Sequence, residues 1–231
     1  MTVGLFATCL VNIARPSVGL AAAKALDLTG RRWVFPRRQT CCGQVAHNAG
    51  FRAKAAASAA HCARVFAECD RVVIPSGSCC GFLRKHAPGL ADIAGEEVVR
   101  FAGKCAELSE FLTEENFTPP RRASALSVVY HDSCAGLREL GIKDAPRALL
   151  RRAGVEVNEM KDCEVCCGFG GAFAEKFGGI SAALADEKCD NIGDAEVVAM
   201  GDTGCILHLE GRLLRLRRRT KVMHWCEALF D

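Results

Sequence analysis

Short apolar, β-branched runs punctuate this chain at residues 3–7, 32–35, 72–75 and 98–101, and again at 126–130, 155–159, 196–200 and 220–223. Each reads as a strand. Between them, segments 17–27, 52–68, 144–153 and 180–191 carry helical patterns. Such alternation predicts an α/β protein in which each half builds a small, mostly parallel sheet with flanking helices. The halves correspond element by element: 17–27 matches 144–153, and 52–68 matches 180–191. Ser109-Glu-Phe-Leu112 and Cys226-Glu-Ala-Leu229 look like the starts of matching terminal helices. Residues 113–123, with Pro119-Pro120 and charged neighbours, form the natural linker. The expected organisation is a first module over 1–112, the linker 113–123, and a second module over 124–231.

The cysteines repeat with the elements. Cys9 and Cys134 each lie 32 residues before a Cys-Cys-Gly triplet, Cys41-Cys42-Gly43 and Cys166-Cys167-Gly168. A further cysteine follows 38 residues after Cys41, at Cys79, and 39 residues after Cys166, at Cys205. The flanks repeat too. Apolar runs ending in small polar residues lead into Cys9 and Cys134, and β-branched stretches with small-residue turns lead into Cys79 and Cys205. Self-similarity at an offset of about 125 residues marks a tandem duplication. The two modules are therefore pseudo-symmetric, and each gathers four thiols at strand ends or loops.

Composition narrows the partners and the compartment. Half of the 231 residues are apolar, enough for a sizeable core. A formal charge of +3 and 6% aromatic residues argue against nucleic acid. No run of about 18 apolar residues occurs, so no transmembrane segment is expected. The 15 cysteines do not fit a disulfide scaffold, which is typically short, secreted and poor in core. With no export signal to read, the expected location is cytoplasmic and the expected state is free or metal-bound thiol.

Adjacent cysteines bear on what the thiols hold. Neighbouring Cα atoms stand about 3.8 Å apart, too close for an unstrained disulfide between them. Structural zinc prefers Cys-x-x-Cys pairs around one ion. A multi-iron cluster lets each neighbouring thiolate bind a different iron, and four cysteines per module match the requirement of a [4Fe–4S] cluster. Gly43 and Gly168 permit unusual backbone angles and exposed amides that donate to sulfur. Two iron–sulfur clusters are the expectation, and zinc stays open.

Several stretches carry a resemblance: Phe6-Ala-Thr-Cys-Leu-Val11, Phe35-Pro36, Gln39-Thr-Cys-Cys-Gly-Gln44, Pro75-Ser-Gly-Ser-Cys79, His131-Asp-Ser-Cys134, Cys166-Cys-Gly-Phe-Gly-Gly171 and Gly211-Arg-Leu213. Together they resemble the cysteine-rich CCG-domain family, which includes heterodisulfide reductase and the glycolate oxidase iron–sulfur protein. The short two-module form, without an attached ferredoxin domain, is most similar to the family's lactate-utilisation branch. That resemblance implies two tandem CCG modules and an electron-relaying subunit of an oxidoreductase complex that converts L-lactate to pyruvate without NAD. It also implies a ferredoxin-like iron–sulfur partner, a third subunit, and a small 2-hydroxy acid as the substrate of the complex. Transferred onto this chain, the metal ligands are Cys9, Cys41, Cys42 and Cys79 in one module, and Cys134, Cys166, Cys167 and Cys205 in the other. Heterodisulfide reductase closes each motif with Cys-x-x-Cys, giving five thiols; here only Cys79 and Cys205 remain. Cys80 is a substitute fifth ligand in the first half, and His208 or nothing in the second. A heterodisulfide-reductase-like enzyme, a glycolate oxidase iron–sulfur protein and a zinc-binding structural module are the alternatives.

The remaining features have plainer readings. Cys62, Cys69, Cys80, Cys105, Cys163, Cys189 and Cys226 lie outside the repeat and read mostly as packing residues. Cys163 stands out because Cys163-x-x-Cys166 has metal-ligand spacing. His131 reads as a hydrogen-bonded structural histidine, with a supporting role behind the ligands or a proton relay as the alternative. The glycine run after Cys167 lacks the third glycine of a dinucleotide loop. The basic run Arg212, Arg215, Arg217, Arg218, Arg219 and Lys221 reads as a solvated helix face, or else as a dock for an acidic partner. No catalytic residue is assigned.

Overall fold

The structure, a computed structural model, describes residues 1–230. The chain divides into two compact units, one over Met1–Phe117 and a second from Thr118 onward. In the first, β1 (Thr2–Leu5), β2 (Arg32–Val34), β3 (Arg71–Ile74) and β4 (Cys105–Glu107) form a sheet in the order β2-β1-β3-β4. In the second, β5 (Leu126–His131), β6 (Val155–Glu159), β7 (Val197–Met200) and β8 (Lys221–His224) repeat it as β6-β5-β7-β8. Every pairing is parallel. These are the two parallel modules that the alternation of elements predicts.

Parallel neighbours require crossovers, and helices supply them. Cys9–Ala14 and Pro16–Leu28 link β1 to β2, and Gln44–Asn48 and Arg52–Val65 link β2 to β3. In the second unit Cys134–Leu140 and Asp144–Arg152 link β5 to β6, and Ala172–Lys176 and Gly178–Ile192 link β6 to β7. The chain runs outward from β1 to β2, then returns past β1 to β3, so the right-handed crossover rule puts the two helical connections on opposite faces. With both faces covered, β3 and β7 are almost wholly buried, as their Val- and Ile-rich sequences require. Helix Arg52–Val65 lies close to its sheet because its buried stripe is Ala55, Ala56, Ala59, Ala60, Cys62 and Ala63. Gly4 of β1 sits under Phe66, where a Cβ would come within 2.6 Å of the ring.

Three expectations need correction. Residues 98–101 are not a strand but part of helix Glu97–Lys104. Val98, Phe101 and Ala102 are buried while Val99 and Arg100 are exposed, which is helical spacing. The fourth strand is instead Cys105-Ala106-Glu107, entirely buried and carrying an acid. The segment at Cys226 forms a single 3-10 turn, Glu227–Leu229, rather than a matching terminal α-helix. The basic run is also not one solvated face: Arg212 pairs with Asp186, and Arg218 donates to the Cys189 and Gly193 carbonyls. Among the described residues no helix is long and apolar enough to cross a membrane.

Candidate metal centre

The order β2-β1-β3 reverses direction between β1 and β3, and the crevice beyond the carboxyl ends of such strands is where open α/β sheets bind ligands. Cys9 follows β1, Cys41 and Cys42 follow β2, and Cys79 follows β3. Cys134, Cys166-Cys167 and Cys205 follow β5, β6 and β7 in the same way. The single cysteines stand just past their strand ends and also enter helices. Cys9 and Cys134 open helices Cys9–Ala14 and Cys134–Leu140, while Cys79 and Cys205 sit in the first turns of Gly77–Gly81 and Thr203–Arg215. The turns before them are built for this. Thr8 takes φ 72°, Ser76 Oγ accepts from the Cys79 amide at 3.5 Å, and Asp202 accepts from the Gly204 amide at 3.0 Å.

In the first unit the four thiols form a connected set. Cys41 Sγ accepts hydrogen bonds from Cys42 and Cys9 and from the Gly43 amide at 3.4 Å. Cys42 Sγ lies 3.2 Å from Cys79 Sγ. The bonds from Cys42 and Cys9 push the Cys41 thiol down to about 2. Its neighbour Cys9 is pushed up by its bond to Cys41 and by burial, and Cys42 by its thiol partners and burial. One central thiolate is therefore flanked by thiols that keep their protons until a metal displaces them.

The second unit repeats this relationship. Cys166 Sγ accepts from Cys134, Cys167 and, at 3.3 Å, the Gly168 amide, and the thiol bonds push it down to about 2. Cys134 and Cys167 are pushed up by the same contacts and by burial. Each triplet glycine has positive φ, 105° at Gly43 and 89° at Gly168. A Cβ there would meet the Ala55 carbonyl oxygen at 2.8 Å or the Ser181 carbonyl oxygen at 2.6 Å. Only glycine lets the triplet press so closely on the following helix.

His131, read from the sequence as structural with a supporting role behind the ligands or a proton relay as the alternative, stands beside the second set. One of its ring nitrogens, Cys167 Sγ and Cys205 Sγ all lie within 4.8 Å of one another. The ring is fully buried, and its Nδ1 stands 3.1 Å from the Cys163 carbonyl oxygen. Burial, then the nearby Lys188 ammonium, pushes the imidazole down to about 3, so it is neutral. The signal available in the sequence was the mismatch three residues before the lone cysteine: His131 in one half, Phe6 in the other.

The other candidate donors turn elsewhere. Cys80 is fully buried and pushed up by burial and by the charges of Cys105 and Glu107. His208 Nε2 lies 3.2 Å from Ser181 Oγ. Cys163 contributes its carbonyl to His131 and to the Asp132 amide, while its thiol bonds to Asp132. Cys62 donates to the Cys41 carbonyl at 3.6 Å, and burial pushes its thiol up to about 12. All fifteen cysteines are free thiols. Two sets of converging thiols, each with a preformed thiolate and a sulfur-directed amide, suit a soft metal or an iron–sulfur cluster.

The same duplication appears in a comparison with known families. The family described as cysteine-rich domain (CCG) matches residues 3–84 and again 128–210. The chain belongs to the CCG cysteine-rich domain family. Its two CCG modules carry the two thiol sets just described. Among full-length relatives, the protein named lactate utilization protein A of Geobacillus kaustophilus is 40% identical, over 99% of this chain and 98% of that protein. The lactate utilization protein A of Geobacillus thermodenitrificans is 37% identical, and lactate utilization protein A 2 of Bacillus cereus strain 03BB102 is 34% identical, with the same coverage. A solved structure of a hypothetical protein from Helicobacter pylori shares the fold, with a TM-score of 0.67 at 12% identity. It covers 99% of this chain, which spans about half (48%) of that structure.

Proposed function

We propose that this CCG protein is the iron–sulfur electron-transfer component of a system that oxidises L-lactate to pyruvate. The observation that carries the reading is the duplicated thiol set, with the same central thiolate at the same strand ends in both units. Cys9, Cys41, Cys42 and Cys79 would hold one cluster, and Cys134, Cys166, Cys167 and Cys205 the other. Four thiolates each correspond to two [4Fe–4S] clusters. Such clusters, when bound, supply reversible one-electron transfer. The protein's part is to hold and tune them. The Gly43 and Gly168 amides offset negative charge at Cys41 and Cys166. The apolar cluster that includes Cys167 and Cys205 keeps water from one side of the second set. Electrons would pass to or from a ferredoxin-like iron–sulfur subunit and a third subunit, in the cytoplasm, with the 2-hydroxy acid handled by the complex. The lactate assignment is supported by the names of the relatives.

One observation favours a second reading. His131, Cys167 and Cys205 make a mixed nitrogen–sulfur donor group of a kind that zinc accepts. A heterodisulfide reductase role is disfavoured, because Cys80, the substitute fifth thiol, keeps company with Cys105 and Glu107.

Anaerobically purified protein is expected to hold about eight irons and eight sulfides per chain. Cys41→Ser and Cys166→Ser should each remove about half of both. Stoichiometric zinc without sulfide would end the electron-transfer reading. A deletion strain that grows normally on lactate, with no second lactate oxidase present, would end the lactate assignment.

A further inference from the structure

Position 131 is where the duplication breaks at the metal site itself. In the first unit the residue three places before the lone cysteine is Phe6, fully buried, its ring 5.4 Å from Phe66. It offers no donor. In the second unit the same place holds a fully buried imidazole.

The tautomer of that imidazole follows from its partner. A carbonyl oxygen only accepts, so the 3.1 Å contact with Cys163 fixes the proton on Nδ1. An imidazole with its proton on Nδ1 presents Nε2 as a lone pair. That buried nitrogen has no hydrogen-bond partner among the described residues. The imidazole stands in one group with Cys167 and Cys205 Sγ, and with Nδ1 held by the Cys163 carbonyl the nitrogen left to bind is Nε2. A metal taken up by the thiols displaces their protons. No S–H is then left beside Nε2 to donate to it. A buried acceptor in that position is costly unless it finds a partner, and the partner at hand is the metal. The second ring nitrogen on a backbone carbonyl is also the arrangement that metal-binding histidines adopt, because it fixes the ring and raises its basicity.

We propose that His131 Nε2 is a direct donor to the metal of the second unit, so that the first site is all-thiolate and the second mixes thiolate with imidazole. This rests on the proposed iron–sulfur reading. The consequence is functional. Replacing thiolate by imidazole donors is known to raise the potential of iron–sulfur centres, and a neutral donor added to one site of a duplicated pair gives the two sites different potentials. That difference sets a direction for electron flow which two identical modules would lack.

The test uses full-length protein grown with ¹⁵N-histidine, purified anaerobically, reduced, and examined by pulsed EPR after iron and sulfide analysis. The expected result is a strong nitrogen coupling from a directly bound histidine, present in the wild type and lost in His131→Phe, which copies the first unit. Iron and sulfide with only weak, through-hydrogen-bond coupling in the wild type would overturn the inference and leave the cluster reading intact. Strong coupling that survives in His131→Phe would overturn it too, since another histidine would then be bound. Absence of iron and sulfide from the wild type would overturn both. The wild-type spectrum decides without any variant having to fold.

Discussion

Around Cys41 and around Cys166 the same thiols stand on the same strand ends, but what supports them differs. In the first unit Gln39 braces the end of β1. Its Oε1 accepts from the Ala7 amide at 2.9 Å, and its Nε2 donates to the Leu5 and Pro36 carbonyls at 3.2 and 3.0 Å. In the second unit the Asp132 amide bonds to the Cys163 carbonyl, and the Asp132 carboxylate takes two 2.8 Å bonds from Arg147. Arg147 also donates to both oxygens of Glu159 and lies over Tyr130. One brace is a neutral amide and the other a buried ion pair. The thiols are fixed by strand ends that the duplication preserves, whereas the residues behind them have been free to change charge. The second site is therefore braced by charged groups where the first is braced by a neutral one.

The largest break in this comparison is expected at Arg147. Its side chain and that of Asp132 are only 3% and 2% exposed. Arg147→Met leaves a buried carboxylate without its partner and should cost about 3–5 kcal/mol. Gln39→Ala, at the matching brace, removes neutral hydrogen bonds and should cost about 1–3 kcal/mol. Urea unfolding of the metal-free protein measures both. Equal costs would mean that the ion pair is an ornament of the second brace rather than its main support.

Titration sharpens the contrast next. In the first unit Glu107 is 2% exposed, and burial raises its carboxyl to about 7 from an ordinary 4.5. It binds a proton in the folded state that the unfolded chain has already lost, so its contribution is full below pH 4.5 and fades as pH rises through 7. In the second unit His131 is lowered to about 3 from 6.5. Its contribution is full above pH 6.5 and fades as pH falls toward 3. At full extent these amount to roughly 3 kcal/mol for Glu107 and roughly 5 kcal/mol for His131. Between pH 4.5 and 6.5 the two oppose each other. Relative to the wild type, Glu107→Gln should make stability rise with pH in this window, and His131→Phe should make it fall. Urea midpoints across the window read both signs, and parallel curves for all three proteins would refute the opposition.

What the sequence disclosed follows from where its constraints are strict. β-Branched runs such as Arg71-Val-Val-Ile74 and Val197-Val-Ala-Met200 must be strands in a covered parallel sheet, and they are. Residues 98–101 misled because Val98, Val99 and Phe101 favour strands locally, while the pattern that decides the matter, Val98 with Phe101 and Ala102, belongs to a helix. The strand Cys105-Ala106-Glu107 was hidden by its buried acid, which Ser109 makes tolerable by donating to it. The short helices opening at Cys9 and Cys134 span six and seven residues, too few for a periodic signal. The thiols were legible because cysteine spacing survives duplication. His131 could be read only as structural or supporting, because a single histidine carries no spacing and it is the fold that brings it to Cys167 and Cys205.

The triplet glycines test whether the two sites are equally tight. Gly43→Ala and Gly168→Ala each place a side chain at positive φ and against a helix carbonyl, at a cost of about 2 kcal/mol or more. The approach to the carbonyl is closer at Gly168, 2.6 Å against 2.8 Å, with Leu184 Cβ at 2.9 Å where Gly43 has Ser58 Cβ at 3.0 Å. Gly168→Ala should therefore lower the urea midpoint more than Gly43→Ala. The reverse order would place the tighter packing in the first unit.

The smallest effect is expected at the cysteine with the most suggestive spacing. Cys163 stands three residues before Cys166, yet what the second unit uses is its backbone: the carbonyl that holds both the Asp132 amide and His131 Nδ1. Its thiol faces Asp132, and a serine hydroxyl keeps a donor there. Cys163→Ser should change stability by no more than about 0.5 kcal/mol and leave the iron content unchanged. Gln39, which braces the first unit through its side chain, has no such immunity. Loss of half the iron in Cys163→Ser would make its thiol a ligand and would give the second unit five sulfur donors where the first has four.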